Sequence, residues 1–218
     1  MLRPAKRKVN KMKKNEIFSF IAISLAVLVP VPGRFACGLI LVIALNLFMF
    51  TGTIFRKIIY DVHLEDLQPV LIAIFLIFMG VIFKQLLILY SPILALTLGF
   101  VIYMEAISSF IVGSLYEVTN NTMGQDIKIN MTRSLKFSLI ALIFFLLRDI
   151  LGYGTITLPK TTGYITLNLF ANAKFFVPSV FLASIPGALV LVAVFLIIFV
   201  RINRKLAIAK NLVEEVQK

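Results

Sequence analysis

Long apolar runs separated by short polar segments make up most of the chain. A helix that crosses a membrane needs about 20 consecutive, mainly apolar residues, and six runs approach or exceed that length. The pattern therefore predicts an all-α membrane protein with six transmembrane helices. We place them at about residues 17–31, 35–55, 69–90, 92–116, 137–155 and 176–200.

Two of the six runs carry irregular features. The first ends in VPVPG, and Pro30, Pro32 and Gly33 cannot continue a helix cleanly. The fourth contains a carboxylate, Glu105, followed by SSFIVGS. Six spans divide into two sets of three with opposite orientation, and each set would then open with an irregular segment. We therefore expect a 3+3 inverted repeat with broken half-helices in spans one and four, as in many transporters.

The composition supports a membrane protein in one unit. The 218 residues are 60% hydrophobic and 15% charged, with a mean hydropathy of +1.00, whereas soluble domains carry about 25% charged residues. We divide the chain into a basic cytoplasmic tail (1–15), a six-helix transmembrane domain (16–201) and a cytoplasmic C-terminal tail (202–218). Cys37 is the only cysteine, which excludes an intrachain disulfide and a self-contained cysteine metal site.

The net charge of +12 does not indicate nucleic-acid binding, because the basic residues cluster at the ends of apolar runs. Clusters in that position set topology and meet anionic lipid head groups. With the N-terminus inside, seventeen of the 22 Lys and Arg residues are cytoplasmic. We therefore expect no nucleic-acid partner and a bacterial cytoplasmic (inner) membrane location with both termini inside. The basic residues in the spans or on the far side are Arg34, Lys84, Arg148, Lys160 and Lys174.

Three charged residues lie near the outer ends of predicted spans. Lys84 in span three, and Arg148 and Asp149 in span five, are each about six residues from that end, roughly 9 Å deep. A Lys84–Asp149 ion pair is possible, with Arg148 on a different azimuth because neighbours along a helix do not face the same way. Two interpretations are open: a structural ion pair or snorkelling side chains, and a role in transport.

Glu105 lies deeper, about 13 residues into span four and roughly 20 Å from the surface. A charged residue at the centre of a membrane helix costs about 3 kcal/mol even on lenient insertion scales. Its carboxyl group must face the protein interior, find a partner, meet water or stay protonated. Glu105 is therefore either a proton or cation site, or a protonated acid hydrogen-bonded to a neighbouring helix.

The remaining residues favour structural interpretations. Gly52, Gly80, Gly99 and Gly113 are expected at close contacts between helices, and His63 in a solvated loop. The sequence contains no Gly-rich phosphate loop, no paired catalytic carboxylates and no Ser-His arrangement. This argues against direct enzymatic chemistry by the chain alone.

The stretch SLKFSLIALIFFLLRDILGYGTITLP resembles the fifth span of the RnfE/NqrD membrane subunits. In those proteins an apolar helix ends in an Arg-acid pair followed by Leu-Gly-x-Gly-Thr. The motif here runs from Arg148 and Asp149 to Thr155, and reads RDILGYGT. The later SIPGALV, with Pro186 and Gly187, is similar to the Pro-Gly segment of the family's last span. The resemblance covers about residues 17–204.

The resemblance implies a place in an ion-motive redox complex beside an RnfA/NqrE-like sister subunit of opposite topology. In the family the two subunits together hold a [2Fe–2S] cluster, whose cysteines lie in the first and fourth half-helices of both. In this chain the first ligand position falls on Val29, before Pro30, and the second on Glu105, between Met104 and Ala106. Iron–sulfur clusters depend on thiolate ligands. We therefore expect the cluster to be lost, with no cofactor in this chain.

Three functions follow as hypotheses. The first is a membrane subunit of an Rnf/Nqr-like ion-translocating electron-transport complex, without its own iron–sulfur cluster and at most a non-catalytic subunit of that oxidoreductase. The second is an independent ion or solute transporter that uses Glu105 at the membrane midplane, with the layer of Lys84, Arg148 and Asp149 as an outer gate. The third is a structural assembly partner of another membrane protein.

Overall fold

The computed structural model describes residues 28–108, 111, 115, 122–169 and 180–216. This part of the chain is mostly helical. The helices are α1 (Phe35–Asp61), α2 (Gln68–Tyr90), α3 (Pro92–Leu98), α4 (Val101–Ala106), α5 (Met123–Tyr153), α6 (Val180–Ala183) and α7 (Ile185–Val216). A 3-10 turn, Glu65–Leu67, precedes α2, and a two-stranded antiparallel sheet consists of β1 (Thr155–Lys160) and β2 (Gly163–Asn168).

Within the described residues, two helices are long and apolar enough to cross a membrane. They are α1, with 27 residues, and α2, with 23, and at 1.5 Å per residue both exceed a hydrocarbon core of about 30 Å. Ile74, Phe78 and Leu86 of α2 are each more than half exposed, as a helix that faces lipid requires. These two helices are compatible with a membrane protein, and the arrangement of six spans in a 3+3 inverted repeat stays a prediction.

The central pair of helices consists of α1 and α5. They run antiparallel, because the start of α1 meets Asp149 and its last turns meet Asp126. A Cβ atom at Gly38 of α1 would overlap the ring of Phe145 on α5, so the absence of a side chain lets the two helices approach closely. This pairing brings the ends of α1 and α5 together, where the charged residues lie.

Both breaks predicted from the sequence fall partly within the described residues. Residues 28–34 form a turn without helix, whereas residues 17–27 of the predicted first span lie outside the described part. The fourth span is interrupted at Gly99, whose φ of 49° lies in a region that glycine adopts readily. Gly99 therefore ends α3 and is not a close helix contact, whereas Gly52 and Gly80 do lie against the side chains of Leu115 and Tyr103.

The prediction of an all-α fold is wrong at the segment after α5. β1 and β2 pair from Thr155 opposite Asn168 to Lys160 opposite Gly163, and two residues connect them. The segment TITLPKTTGYITLN is rich in Thr and Ile, β-branched residues that favour strands, and has a glycine at the turn. β1 packs against α1 and α5, and β2 against α3. The sheet is therefore held across the ends of three helices, which compensates for the marginal stability of an isolated hairpin.

Candidate functional site

Asp149 is completely buried near the end of α5, where it binds the start of α1. Its Oδ2 accepts hydrogen bonds from the N–H of Phe35 (3.1 Å), the N–H of Thr157 (2.8 Å) and the hydroxyl of Thr157 (2.7 Å). The first N–H groups of a helix have no partner within it and carry partial positive charge. Asp149 therefore provides a negative charge that joins α1 and β1 to α5.

Arg34, which precedes α1, is the basic neighbour of Asp149. Its Nη1 lies 3.8 Å from Oδ1 of Asp149 and donates to the hydroxyl of Thr155 (3.3 Å). Its guanidinium carbon lies 3.7 Å from the centroid of the Tyr153 ring. Arg34 was not selected as a site residue from the sequence. Its position directly before the start of a predicted span was the feature that could have identified it.

The Lys84–Asp149 ion pair that the sequence allowed is not among the ion pairs of the described residues. The ammonium nitrogen of Lys84 lies 5.3 Å from the centroid of the Tyr103 ring on α4. α2 packs mainly against α1, α3 and α4, so an equal depth in the membrane does not bring Lys84 to α5. The three residues of the predicted outer layer, Lys84, Arg148 and Asp149, consequently do not form one cluster.

Arg148 does not snorkel outward, because only 1% of it is exposed. Its Nη1 donates to the carbonyl of Val31 (2.6 Å), and its Nη2 to the carbonyls of Ala183 (2.9 Å) and Ser184 (3.3 Å). These carbonyls belong to the turn before α1 and to the junction of α6 and α7. The carbonyl of Ser184 also accepts the N–H of Ala188, and a carbonyl oxygen can accept two hydrogen bonds, whereas the planar guanidinium supplies several donors at once. Arg148 therefore ties both breaks to α5.

Two glycines allow this close approach. A Cβ atom at Gly33 would lie 3.0 Å from Nε of Arg148, and one at Gly152 would lie 2.7 Å from the Cβ of Ala183. Contacts this short would displace the neighbouring atoms. Part of the RDILGYGT motif thus packs one element against the next.

Glu105 lies on the last turn of α4 and is 3% exposed. Its Oε2 is buried without a hydrogen-bond partner, and the same is true of the hydroxyl of Ser108. None of the ion pairs found in the described part of the chain includes Glu105. A buried carboxylate that lacks a partner carries a large desolvation cost. Glu105 is therefore the predicted site residue whose surroundings do not already account for its chemistry.

A polar seam between α1 and α5 was missed by sequence reasoning. Arg56 forms a buried ion pair with Asp126, and the amide of Asn130 donates to the hydroxyl of Thr53 (3.1 Å). Further along, Asn46 bonds two serines: its amide donates to Ser138 (2.9 Å), and the hydroxyl of Ser134 donates to its Oδ1 (2.8 Å). The signal was the spacing of four residues between the polar positions of α5, which places them on one helix face. Those positions are Asp126, Asn130, Ser134 and Ser138.

The residues at the family's ligand positions do not fit an iron–sulfur cluster. Val29, 5% exposed in the turn before α1, has no side-chain atom that binds a metal, and a cluster depends on thiolates. Cys37 lies on the first turns of α1 and is buried. Within the described residues, no group of three or more His, Cys, Asp and Glu side chains could hold a metal ion.

No protein-family model matches the chain, and no curated protein matches it.

Proposed function

We propose that the chain is a membrane subunit of an Rnf/Nqr-like ion-translocating electron-transport complex, and that it has no iron–sulfur cluster of its own. The observation that carries this proposal is the position of two irregular backbone segments. Val29 lies in the turn before α1, and Glu105 lies where α4 ends. These are the two positions at which the family that the chain resembles has its ligand cysteines. Replacement of both ligands would remove the cofactor but keep the scaffold, because a fold can persist after its functional site is lost.

The roles of Arg148 and Asp149 support the same proposal. Both side chains bond to backbone at chain breaks and helix starts, including Val31 and Phe35. In such a subunit the RDILGYGT segment holds the irregular segments in place and does not itself carry ions. The partners proposed are an RnfA/NqrE-like sister subunit, further membrane subunits of the complex and anionic lipid head groups. The location proposed is the bacterial inner membrane, with both termini cytoplasmic.

Purification of the tagged full-length chain in a gentle detergent tests this proposal. Mass spectrometry is expected to identify Rnf- or Nqr-like subunits, and the sample is expected to show the visible absorbance of flavin or iron–sulfur groups that those partners carry. A tagged membrane protein of unrelated sequence from the same cells is the control. A colourless preparation without such partners would contradict a place in a redox complex.

An independent ion or solute transporter is the second candidate, because Oε2 of Glu105 is buried without a partner in the described part of the chain. Unpaired acids within membrane spans often mark ion or proton paths. In liposomes that contain only this chain, ion flux is expected in the wild type and is expected to be lost in Glu105→Gln. Equal flux in the two proteins would exclude this role for Glu105.

A further inference from the structure

Glu105 lies on the last turn of α4, and Ser108 lies three residues further along the chain, just beyond the end of that helix. Glu105 is 3% exposed and Ser108 is 5% exposed. The N–H of Ser108 donates to the carbonyl of Glu105 (2.9 Å), so the backbone holds the two residues in one tight turn. Oε2 of Glu105 and the hydroxyl oxygen of Ser108 both lack hydrogen-bond partners within the described residues.

Within the described residues, the hydroxyl of Ser91 and Nε of Arg148 are also buried without a hydrogen-bond partner, but only Glu105 and Ser108 place two such oxygens within three residues of each other. Most buried polar groups in proteins have a hydrogen-bond partner, and leaving one without a partner costs about 1–3 kcal/mol of folding free energy. Hydroxyl groups on membrane helices commonly donate to the carbonyl four residues earlier. Ser108 lies beyond the end of α4 and does not do so. Four threonines do make that bond: Thr51, Thr53, Thr97 and Thr132.

The backbone at this place supplies further oxygen atoms. α4 ends at Ala106, and the carbonyls of Tyr103 and Glu105 accept the N–H groups of Ile107 and Ser108. A carbonyl oxygen has two lone pairs, so it can accept such a bond and still contact a cation. In membrane transporters, carbonyl groups at the ends of broken helices coordinate cations. A carboxylate, a hydroxyl and backbone carbonyls together form an oxygen ligand set, which suits hard cations.

The charge balance favours a singly charged cation. Lys84 lies over the ring of Tyr103, and Tyr103 and Glu105, two residues apart on a helix, point in different directions. No ion pair within the described residues neutralises Glu105. One carboxylate balances one positive charge, and Glu105 belongs to no group of three or more His, Cys, Asp and Glu side chains within the described residues.

We infer that the carboxylate of Glu105 and the hydroxyl of Ser108 form a binding site for a small monovalent metal cation. The inference shares one premise with the proposed function, namely that the chain lies in a membrane. It requires neither a redox partner nor transport, so its failure is distinguishable from the failure of the purification experiment above.

Thermal unfolding of the full-length chain, purified with any partners that accompany it, tests this inference with Na⁺ as the probe. Choline replaces Na⁺ at constant ionic strength, and the melting temperature is measured across a Na⁺ titration. A ligand that binds only the folded state raises the melting temperature in a saturable way. We expect Glu105→Gln to abolish the saturable shift, and Ser108→Ala to raise the apparent Kd for Na⁺ roughly tenfold, as for the loss of one good ligand contact.

Asp61→Asn provides the matched control. Asp61 is also acidic, but its side chain is 63% exposed and lies 3.6 Å from Lys57 on the surface. The Na⁺ response of Asp61→Asn is expected to equal that of the wild type. The inference is overturned if the wild type does not respond to Na⁺, or if Glu105→Gln keeps the response. It is also overturned if only a change of pH, and not of Na⁺, distinguishes the wild type from Glu105→Gln.

Discussion

Asp149 and Arg148 are adjacent in sequence, yet they bind different parts of the molecule. Side chains of successive helix residues point about 100° apart, so Asp149 reaches the start of α1 while Arg148 reaches the α6–α7 junction and the carbonyl of Val31. Both are buried ionic groups: the hydrogen bonds of Arg148 go to backbone carbonyls, and those of Asp149 come from two backbone N–H groups and two threonine hydroxyls. Their presence in the apolar run is therefore explained by chain breaks that need donors and acceptors.

Replacement of Asp149 by Asn is expected to destabilise the protein. The amide keeps one oxygen, but it has no charge for the N-terminus of α1 and places an N–H₂ group where an acceptor is needed. Loss of hydrogen bonds to a buried charged group is expected to cost about 3 kcal/mol, measured as a lower melting temperature in detergent. Asp61→Asn is the control, because an exposed ion pair contributes about 0–1 kcal/mol. Equal melting temperatures for the two variants would contradict the capping role.

At this scale the sequence predicts which residues are unusual, but not what they touch. Depth along a span follows from counting residues, and by depth Lys84 was a possible partner for Asp149. The actual neighbour, Arg34, was assigned to the spans or the far side. The choice between them depends on which helices are adjacent, and α1, not α2, is the helix whose start meets Asp149. Helix adjacency cannot be obtained from residue counts.

At the scale of elements, agreement between sequence and structure depends on the length of the apolar run. The runs at 35–55 and 69–90 correspond to α1 and α2, because an uninterrupted apolar run of about 20 residues typically forms a helix. The hairpin was missed because its two short strands immediately follow a long apolar run, and the segment between spans five and six was given no element. Gly154, with φ of 68°, ends α5 in a left-handed conformation, and glycine is the common residue at that position.

The close contact of α1 and α5 leads to a prediction for Gly38. In Gly38→Ala the new Cβ meets the ring of Phe145, so the two helices must separate or the ring must move, at a cost of about 1–3 kcal/mol. Thermal unfolding in detergent measures this cost. Gly124→Ala is the matched control, since a Cβ there has no heavy atom within 4 Å and alanine favours helix by up to about 1 kcal/mol. A melting temperature that falls equally in both variants would show that the contact with Phe145 is not the cause.

At the scale of the whole molecule, the two ends of the α1–α5 pair differ in charge and structure. One end holds Arg34, Asp149 and the hairpin. The other holds the ion pair of Arg56 with Asp126 and is followed by the loop that contains His63. A bilayer around α1 and α2 would place these ends on opposite sides. The distribution of Lys and Arg predicts that the hairpin end faces outward.

Cysteine labelling in intact cells tests this orientation. Cys37 is buried and is replaced by Ala, so that a single new thiol reports on each side. Thr161→Cys lies at the exposed hairpin turn, and His63→Cys in the exposed loop after α1. A reagent that cannot cross membranes is expected to label Thr161→Cys in intact cells, after removal of any outer barrier, and His63→Cys only after the membrane is permeabilised.

The reverse pattern would invert the topology, and labelling of both positions in intact cells would contradict a membrane between them. The first outcome would also place the Arg34–Asp149 cluster on the outer side and the Arg56–Asp126 pair on the cytoplasmic side, as the proposed function requires.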